Sequence, residues 1–189
     1  MLVLLLGTTL FDAAAGACGD GAADVPLTQA YYLAIGRGEK KASDVTCIPD
    51  KVFEGFAGAV TLGPMPALAS IGGQAFSSMQ GVLTLEAGDC PQLTTIGFWA
   101  FYSLSNPAST VTFGALPALA SIGGYAFSGM QGVVLTLEAG DCPQLSTIGP
   151  EAFAFLSNPA STVSFGALPA LTAIGESAFS SMQGVLTLE

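Results

Sequence analysis

The sequence predicts an α/β solenoid, a right-handed stack of coils with short parallel strands on one face and short helical or 3₁₀ turns on the other. The main observation is a motif in which isoleucine is followed by glycine in all copies but the first, and by phenylalanine five residues on. Successive isoleucines are 23, 25, 26, 26 and 26 residues apart. A fixed period in this range is typical of repeat architectures. The six motif isoleucines, which define coils 1 to 6, are Ile48, Ile71, Ile96, Ile122, Ile148 and Ile174.

A second observation is an apolar–hydroxyl–apolar triplet in each coil, such as Val60-Thr61-Leu62. Because side chains alternate along a strand, the outer two should point inward and the hydroxyl outward. Stacked coils would then carry a ladder of outward hydroxyls. The residues of this hydroxyl ladder are Thr61, Thr84, Thr112, Thr136, Ser164 and Thr187.

The third observation is the stretch after each isoleucine, where the phenylalanine and a Met or Leu stand three residues apart. This spacing predicts one to two helical turns, partly 3₁₀. Pro49 replaces the motif glycine in coil 1, and proline holds φ near −65°. We therefore interpret the glycine as an N-cap or a close-packing position. Stacking should place each phenylalanine on those of the coils above and below.

The chain divides into three predicted segments. Residues 1–17 contain an apolar run and a small-residue pattern typical of a secretory signal peptide. The alternatives are a cap strand, a truncated gene start or a lipoprotein acylated on Cys18. Residues 18–47 lack the repeat and should form an N-terminal cap, with a short helix over 24–35. Residues 48–189 form the array, which stops in mid-coil, so further repeats or a C-terminal cap are expected beyond Glu189.

The charged residues are distributed unevenly. All four basic residues fall between 37 and 51, and from 52 onward there are eight carboxylates and no Lys, Arg or His. A phosphate backbone needs cationic partners, which argues against nucleic-acid binding by the array. The longest apolar run, at residues 1–11, is shorter than the roughly 18 residues of a membrane-spanning helix. Without histidine we expect no catalytic triad, no enzyme activity, no cofactor and no metal site.

Taken together, the pattern Leu-x-x-Ile-Gly-x-x-Ala-Phe with its upstream strand resembles the BspA-like leucine-rich repeats of bacterial and protist surface proteins. The likeness covers about residues 45–189. It implies a leucine-rich-repeat-like solenoid, a secreted or cell-surface location, and a role in adhesion or protein recognition. The units are slightly longer than is usual in that family. Met or Leu also stands where the family often has Cys after Ala-Phe, which changes core packing.

The cysteines divide into two pairs. Cys90 and Cys142 lie six residues before their isoleucines, where other coils have Met or Leu, so we expect them in the core as small hydrophobes. They are two coils apart, about 9–10 Å, which is too far for a disulfide. Cys18 and Cys47 lie in the cap of a chain predicted to be secreted, and they form a candidate disulfide.

Two pairs of carboxylates recur in alternate coils, Glu86 with Asp89 and Glu138 with Asp141. We interpret them as solvated loop ends. A Ca²⁺ site needs six to eight oxygen ligands, more than two carboxylates supply. A weak Ca²⁺ site is the alternative.

The best binding candidate is aromatic. The residue three positions after each motif isoleucine varies, which indicates an exposed position. Trp99 and Tyr125 occupy it on adjacent coils, with Phe98, Tyr102 and Phe155 expected nearby. Rigid amphipathic rings on a surface are typical of recognition sites. The alternative is that these rings pack on one another or on a further domain. The full set at this position is Lys51, Gln74, Trp99, Tyr125, Glu151 and Ser177.

These observations lead to a predicted function. The chain should be a non-catalytic module that recognises a protein or glycan, or mediates adhesion, in a secreted or cell-surface repeat protein. One alternative is a structural spacer or stalk within a longer repeat protein. A minor alternative is ice binding by the hydroxyl ladder.

Overall fold

The structure is a computed structural model that describes Cys18 and residues 24–189. Within these residues the chain forms a parallel β-solenoid of about six coils, and a short helical segment precedes it. The predicted signal peptide at 1–17 lies outside the described residues. The predicted stack of coils with parallel strands is confirmed.

Two six-stranded parallel sheets run along the array. The short-strand sheet, which contains the motif isoleucines, consists of β1 (Cys47–Ile48), β3 (Ser70–Ile71), β5 (Thr95–Ile96), β7 (Ser121–Ile122), β9 (Thr147–Ile148) and β11 (Ala173–Ile174). The long-strand sheet consists of β2 (Val60–Leu62), β4 (Leu83–Gly88), β6 (Thr110–Phe113), β8 (Val134–Glu138), β10 (Thr162–Phe165) and β12 (Val185–Leu188). Each coil thus contributes one strand to each sheet.

A column of phenylalanine rings fills the centre of the solenoid. Adjacent rings are nearly parallel, with centroid distances of 5.1–5.4 Å and interplanar angles of 1–13°. The first five rings are almost completely buried. The predicted stacking of phenylalanine on phenylalanine is confirmed. The column consists of Phe53, Phe76, Phe101, Phe127, Phe153 and Phe179.

The stretch after each isoleucine differs from the prediction, because it forms consecutive turns rather than helix. Among the described residues, the α-helix Gln29–Gly36 and the 3₁₀ helix Ala42–Asp44 both precede the array. The reason lies in the direction of the backbone N–H groups. Those of Gln74 and Phe76 donate to the carbonyls of Phe98 and Ala100 in the next coil, at 2.9 and 2.7 Å. An α-helix needs these donors for its own carbonyls.

The motif glycine is a close-packing position. A Cβ built at Gly97 or Gly123 would lie 2.6 Å from backbone atoms of the preceding coil, and Gly149 and Gly175 are equally confined. Every coil from the second onward therefore needs a glycine here. Pro49 is tolerated because coil 1 has no preceding motif coil beneath it.

The N-terminal segment contacts the first coil. Helix α1 (Gln29–Gly36) begins after Thr28, whose side-chain oxygen accepts a hydrogen bond from the N–H of Tyr31. The Tyr32 ring packs edge-on against Phe53 at 5.6 Å and ends the phenylalanine column. Its hydroxyl accepts from the N–H of Thr61 at 3.1 Å, so one edge group of β2 has a partner. Pro26 pairs in parallel with Cys47 on the edge of β1.

Candidate functional site

Four rings predicted from the sequence converge on coils 3 and 4. They form the aromatic patch, defined as Phe98, Trp99, Tyr102 and Tyr125. The centroids of Phe98 and Trp99 are 4.5 Å apart, and Trp99 lies 5.8 Å from Tyr102 and 6.1 Å from Tyr125. Phe98 and Tyr102 each meet Tyr125 edge-on, at 5.8 and 6.4 Å. Such edge-to-face contacts are favourable for aromatic pairs.

The patch has a packed centre and two exposed rings. Trp99 and Tyr125 are half-buried, whereas Phe98 is 46% and Tyr102 36% exposed. The Phe98 ring lies beside Gly124 of the next coil, where a Cβ would come within 3.1 Å of it. The missing side chain at Gly124 therefore makes room for the Phe98 ring.

The backbone holds Trp99 and Tyr125 firmly in place. Both residues have a left-handed conformation, with φ of 59° and 58°. Their N–H groups donate to the carbonyls of Gly124 and Pro150 in the next coil at 3.0 and 2.8 Å. The equivalent residue of every other coil also has φ between 50° and 58°, whatever its side chain. The scaffold thus fixes this position, and the sequence varies only the side chain that it presents.

The charge beside the patch is negative. The Tyr125 hydroxyl donates a 3.0 Å hydrogen bond to Glu151 Oε1 in coil 5. This bond and the charge of Glu151 raise the pKa of Tyr125, with smaller contributions from burial, Tyr102 and the charge of Glu176. Two coils before Tyr125, Gln74 Nε2 donates to Glu54 Oε1 at 3.1 Å. Acidic side chains therefore lie on both sides of the rings along the array.

Phe155, the fifth residue of the predicted patch, stands apart from the other four. It is 50% exposed and, among the described residues, its ring has no stacked or edge-on aromatic neighbour. It follows Glu151 on coil 5, and its φ is 58°. At the equivalent position coils 1 and 4 have Gly55 and Gly129, also with positive φ.

The indole of Trp99 contributes packing rather than polar contact. Its Nε1–H is buried and has no hydrogen-bond acceptor within the described residues. An unpaired buried donor costs roughly 1–3 kcal/mol. The contacts of the indole with Phe98, Tyr102 and Tyr125 must offset this cost.

The predicted hydroxyls alternate with buried residues in the first five strands of the long-strand sheet, for example in β2 and β6, whereas all residues of β12 are exposed. However, the six do not form one column. The pairs that share a register are Thr61 with Thr84, Thr112 with Thr136, and Ser164 with Thr187. Between these pairs, Thr84 is opposite Thr110 and Thr136 is opposite Thr162. The register of the hydroxyls therefore shifts by two residues after every second coil, which removes the regular spacing on which the ice-binding interpretation depended.

Cys90 and Cys142 lie in the core, each with no measurable exposure. Their thiols donate to the carbonyls of Met65 and Leu116 at 3.5 and 3.4 Å. Burial, with a smaller effect of the neighbouring aspartate, raises the pKa of both thiols to about 11. Cys18 and Cys47 are joined in a disulfide, with Cα atoms 5.6 Å apart.

The recurring aspartates have a role that sequence reasoning missed. The side chains of Asp89 and Asp141 accept hydrogen bonds from the N–H groups of Ala115 and Ala167 in the next coil, at 2.9 and 2.8 Å. They therefore help to hold successive coils together. Their occurrence at the same place in alternate coils was the signal that could have indicated this. Among Cys18 and residues 24–189, no three His, Cys, Asp or Glu side chains are grouped as a metal site requires.

The structure defines a class, the parallel β-solenoids built from short repeated coils. The chain belongs to a particular family within it, described as BspA type leucine rich repeat region, which it matches in six copies over residues 46–185. Repeats of this family are typical of surface adhesion and binding and are generally non-enzymatic. No curated protein and no solved structure matches the sequence. No helix within the described part of the chain has the length and apolar character needed to cross a membrane.

Proposed function

We propose that the chain is a non-catalytic recognition module that binds a protein or glycan through the aromatic patch, outside the cell or at its surface. One observation carries this proposal. Trp99 and Tyr125 occupy a position where the remaining coils have Lys, Gln, Glu and Ser. The rings of Phe98 and Tyr102, which pack against them, remain exposed. A cluster of rigid rings around a packed centre is what the energetically dominant residues of binding interfaces have in common. The adhesive role typical of the family supports the same conclusion.

The test compares two exposed aromatic sites on the same face. The double variant Phe98→Ser, Tyr102→Ser removes the accessible rings and leaves the half-buried Trp99 and Tyr125. Phe155→Ser removes a ring of comparable exposure outside the patch and is the matched control. Each protein is applied to an array of immobilised extracellular proteins and glycans. Because a central interface ring contributes more than about 1 kcal/mol, we expect the double variant to lose roughly tenfold or more in affinity for any partner bound. Equal binding by the parent protein, the double variant and Phe155→Ser would exclude the patch as the binding site.

A second candidate is a structural spacer within a longer repeat protein. The unbroken phenylalanine column from Phe53 to Phe179 favours it, because each coil is rigidly joined to the next. If the array is only a spacer, an unrelated solenoid of equal length should replace it without loss of adhesion by the full-length protein. Loss of adhesion on replacement would favour recognition.

A further inference from the structure

The charged residues around the aromatic patch are unevenly distributed along the array. The turn face is defined as the residues from two to seven positions after each motif isoleucine. Coils 2 to 4 contribute no charge to it. Coils 1, 5 and 6 contribute four carboxylates and a single cation, which gives the turn face a net charge of −3. These charged residues are Asp50, Lys51, Glu54, Glu151 and Glu176.

The negative groups lie close to the rings. Glu151 is within hydrogen-bond distance of the Tyr125 hydroxyl, and Glu176 of the next coil is near enough to raise the pKa of Tyr125. The faces of aromatic rings attract cations, and a nearby carboxylate adds to that attraction. The exposed rings Phe98 and Tyr102 contact Tyr125, whose hydroxyl is bonded to Glu151. Coils 2 to 6 contain no Lys, Arg or His to balance this negative charge.

Two of the three cations of the N-terminal segment make contacts away from the patch. Arg37 forms an ion pair with Glu39, at 2.9 Å. Lys40 Nζ lies 5.7 Å from the centre of the Tyr31 ring. This second contact is an ammonium over a tyrosine ring within the same chain. The aromatic patch also has tyrosine rings, but coils 2 to 6 contain no cation that could lie over them.

We propose, on the basis of the recognition function above, that the aromatic patch binds an arginine-bearing basic segment of a partner protein. The guanidinium stacks on the exposed rings of Phe98 and Tyr102, and Glu151 and Glu176 supply the counter-charge. Arginine fits better than lysine because its planar group can stack on a ring and also hydrogen-bond to a carboxylate. A second copy of the chain is a poor occupant, because two turn faces of net negative charge repel each other.

The experiment uses the single tryptophan of the chain, Trp99, as a fluorescent probe inside the patch. The protein is titrated with a blocked peptide of alternating arginine and glycine. The matched comparison peptide carries citrulline, which has nearly the shape of arginine without its charge. A neutral oligosaccharide is the third ligand. We expect saturable changes in Trp99 emission with the arginine peptide, at least roughly fivefold weaker binding with citrulline, and weakening by added salt.

Two variants test whether a carboxylate beside the patch contributes to peptide binding. Glu151→Gln keeps an acceptor for the Tyr125 hydroxyl but removes the charge, and we expect it to weaken arginine-peptide binding roughly two- to fivefold. Glu86→Gln removes an exposed carboxylate on the long-strand sheet and should leave binding unchanged. If the oligosaccharide binds and Glu151→Gln has no effect, the basic partner is excluded while recognition by the patch stands. If no ligand changes Trp99 emission, or Glu86→Gln acts as strongly as Glu151→Gln, the basic partner is excluded as well.

Discussion

Two columns of side chains, two residues apart in every coil, differ in how much their residue types vary. The inner column, five residues after each isoleucine, is phenylalanine in all six coils, and its rings stack 5.1–5.4 Å apart. The outer column, three residues after each isoleucine, has six different residues on an almost identical backbone. Stacking restricts the inner column because each ring is the packing surface of the next. The outer column is free to carry chemistry because its backbone does not depend on its side chains.

The largest expected effect comes from breaking the inner column. Phe127 lies between Phe101 and Phe153, at 5.1 and 5.2 Å, and is fully buried. Phe127→Ala should lower the free energy of unfolding by about 3–5 kcal/mol, because it leaves a cavity between two rings. Urea denaturation measures this loss. The control Phe155→Ala removes an exposed ring and should stay within about 0.5 kcal/mol of the parent. Equal losses in the two variants would contradict the distinction between the columns.

A smaller loss is expected where the coils approach most closely. Gly123→Ala would place a Cβ 2.6 Å from the Phe98 backbone nitrogen, so coils 3 and 4 would have to move apart. Overpacking of this kind costs about 1–3 kcal/mol. Gly63 has no atom within 4 Å of a built Cβ, and Gly63→Ala should change the free energy of unfolding by less than about 0.5 kcal/mol. If the two alanine variants unfold at the same urea concentration, the motif glycine is not a packing requirement.

The inner column could be predicted from the sequence because burial and register follow directly from repetition. A phenylalanine that recurs at one position of every stacked coil must meet its own copies. The alternation of Val60, Thr61 and Leu62 was equally informative, since a strand has only two faces. The meeting of Trp99 with Tyr125 followed from the same register. These elements needed only the period and the alternation.

The turns could not be predicted in the same way, because two structures satisfy the same spacing. A phenylalanine three residues before a Met or Leu fits a helix, and it also fits consecutive turns with bonds such as Ser77 N–H to Gln74 carbonyl, 3.1 Å. The difference depends on the next coil, which takes the N–H groups of Gln74 and Phe76. The sequence places Phe155 near the other rings, but Phe155 lies one residue later in its coil than Tyr102 does, and two coils further on.

The buried thiols provide a test of the interior by pH. A thiol whose pKa is raised on folding stabilises the protein fully below the pKa of the unfolded chain. This stabilisation is lost as pH rises toward the folded value, about 11 for Cys90 and Cys142. Between about pH 9 and 11, stability should fall by up to about 1.4 kcal/mol per pH unit for each thiol. The double variant Cys90→Ala, Cys142→Ala should show a flatter profile in urea denaturation. Parallel profiles for parent and variant would mean that the thiols are not buried.

The smallest expected effect concerns backbone strain on the turn face. Phe155 has a φ of 58°, whereas coils 1 and 4 have glycine at the equivalent position. A non-glycine residue in this conformation costs about 1 kcal/mol or more. Phe155→Gly should therefore raise the free energy of unfolding by about 0.5–1 kcal/mol, because its exposed ring contributes little packing. Gly129→Ala should lower it by about 1 kcal/mol in the same urea assay. If Phe155→Gly also lowers the free energy of unfolding, the Phe155 ring contributes to packing. Coil 5 would then have a packed residue on the surface that is otherwise variable.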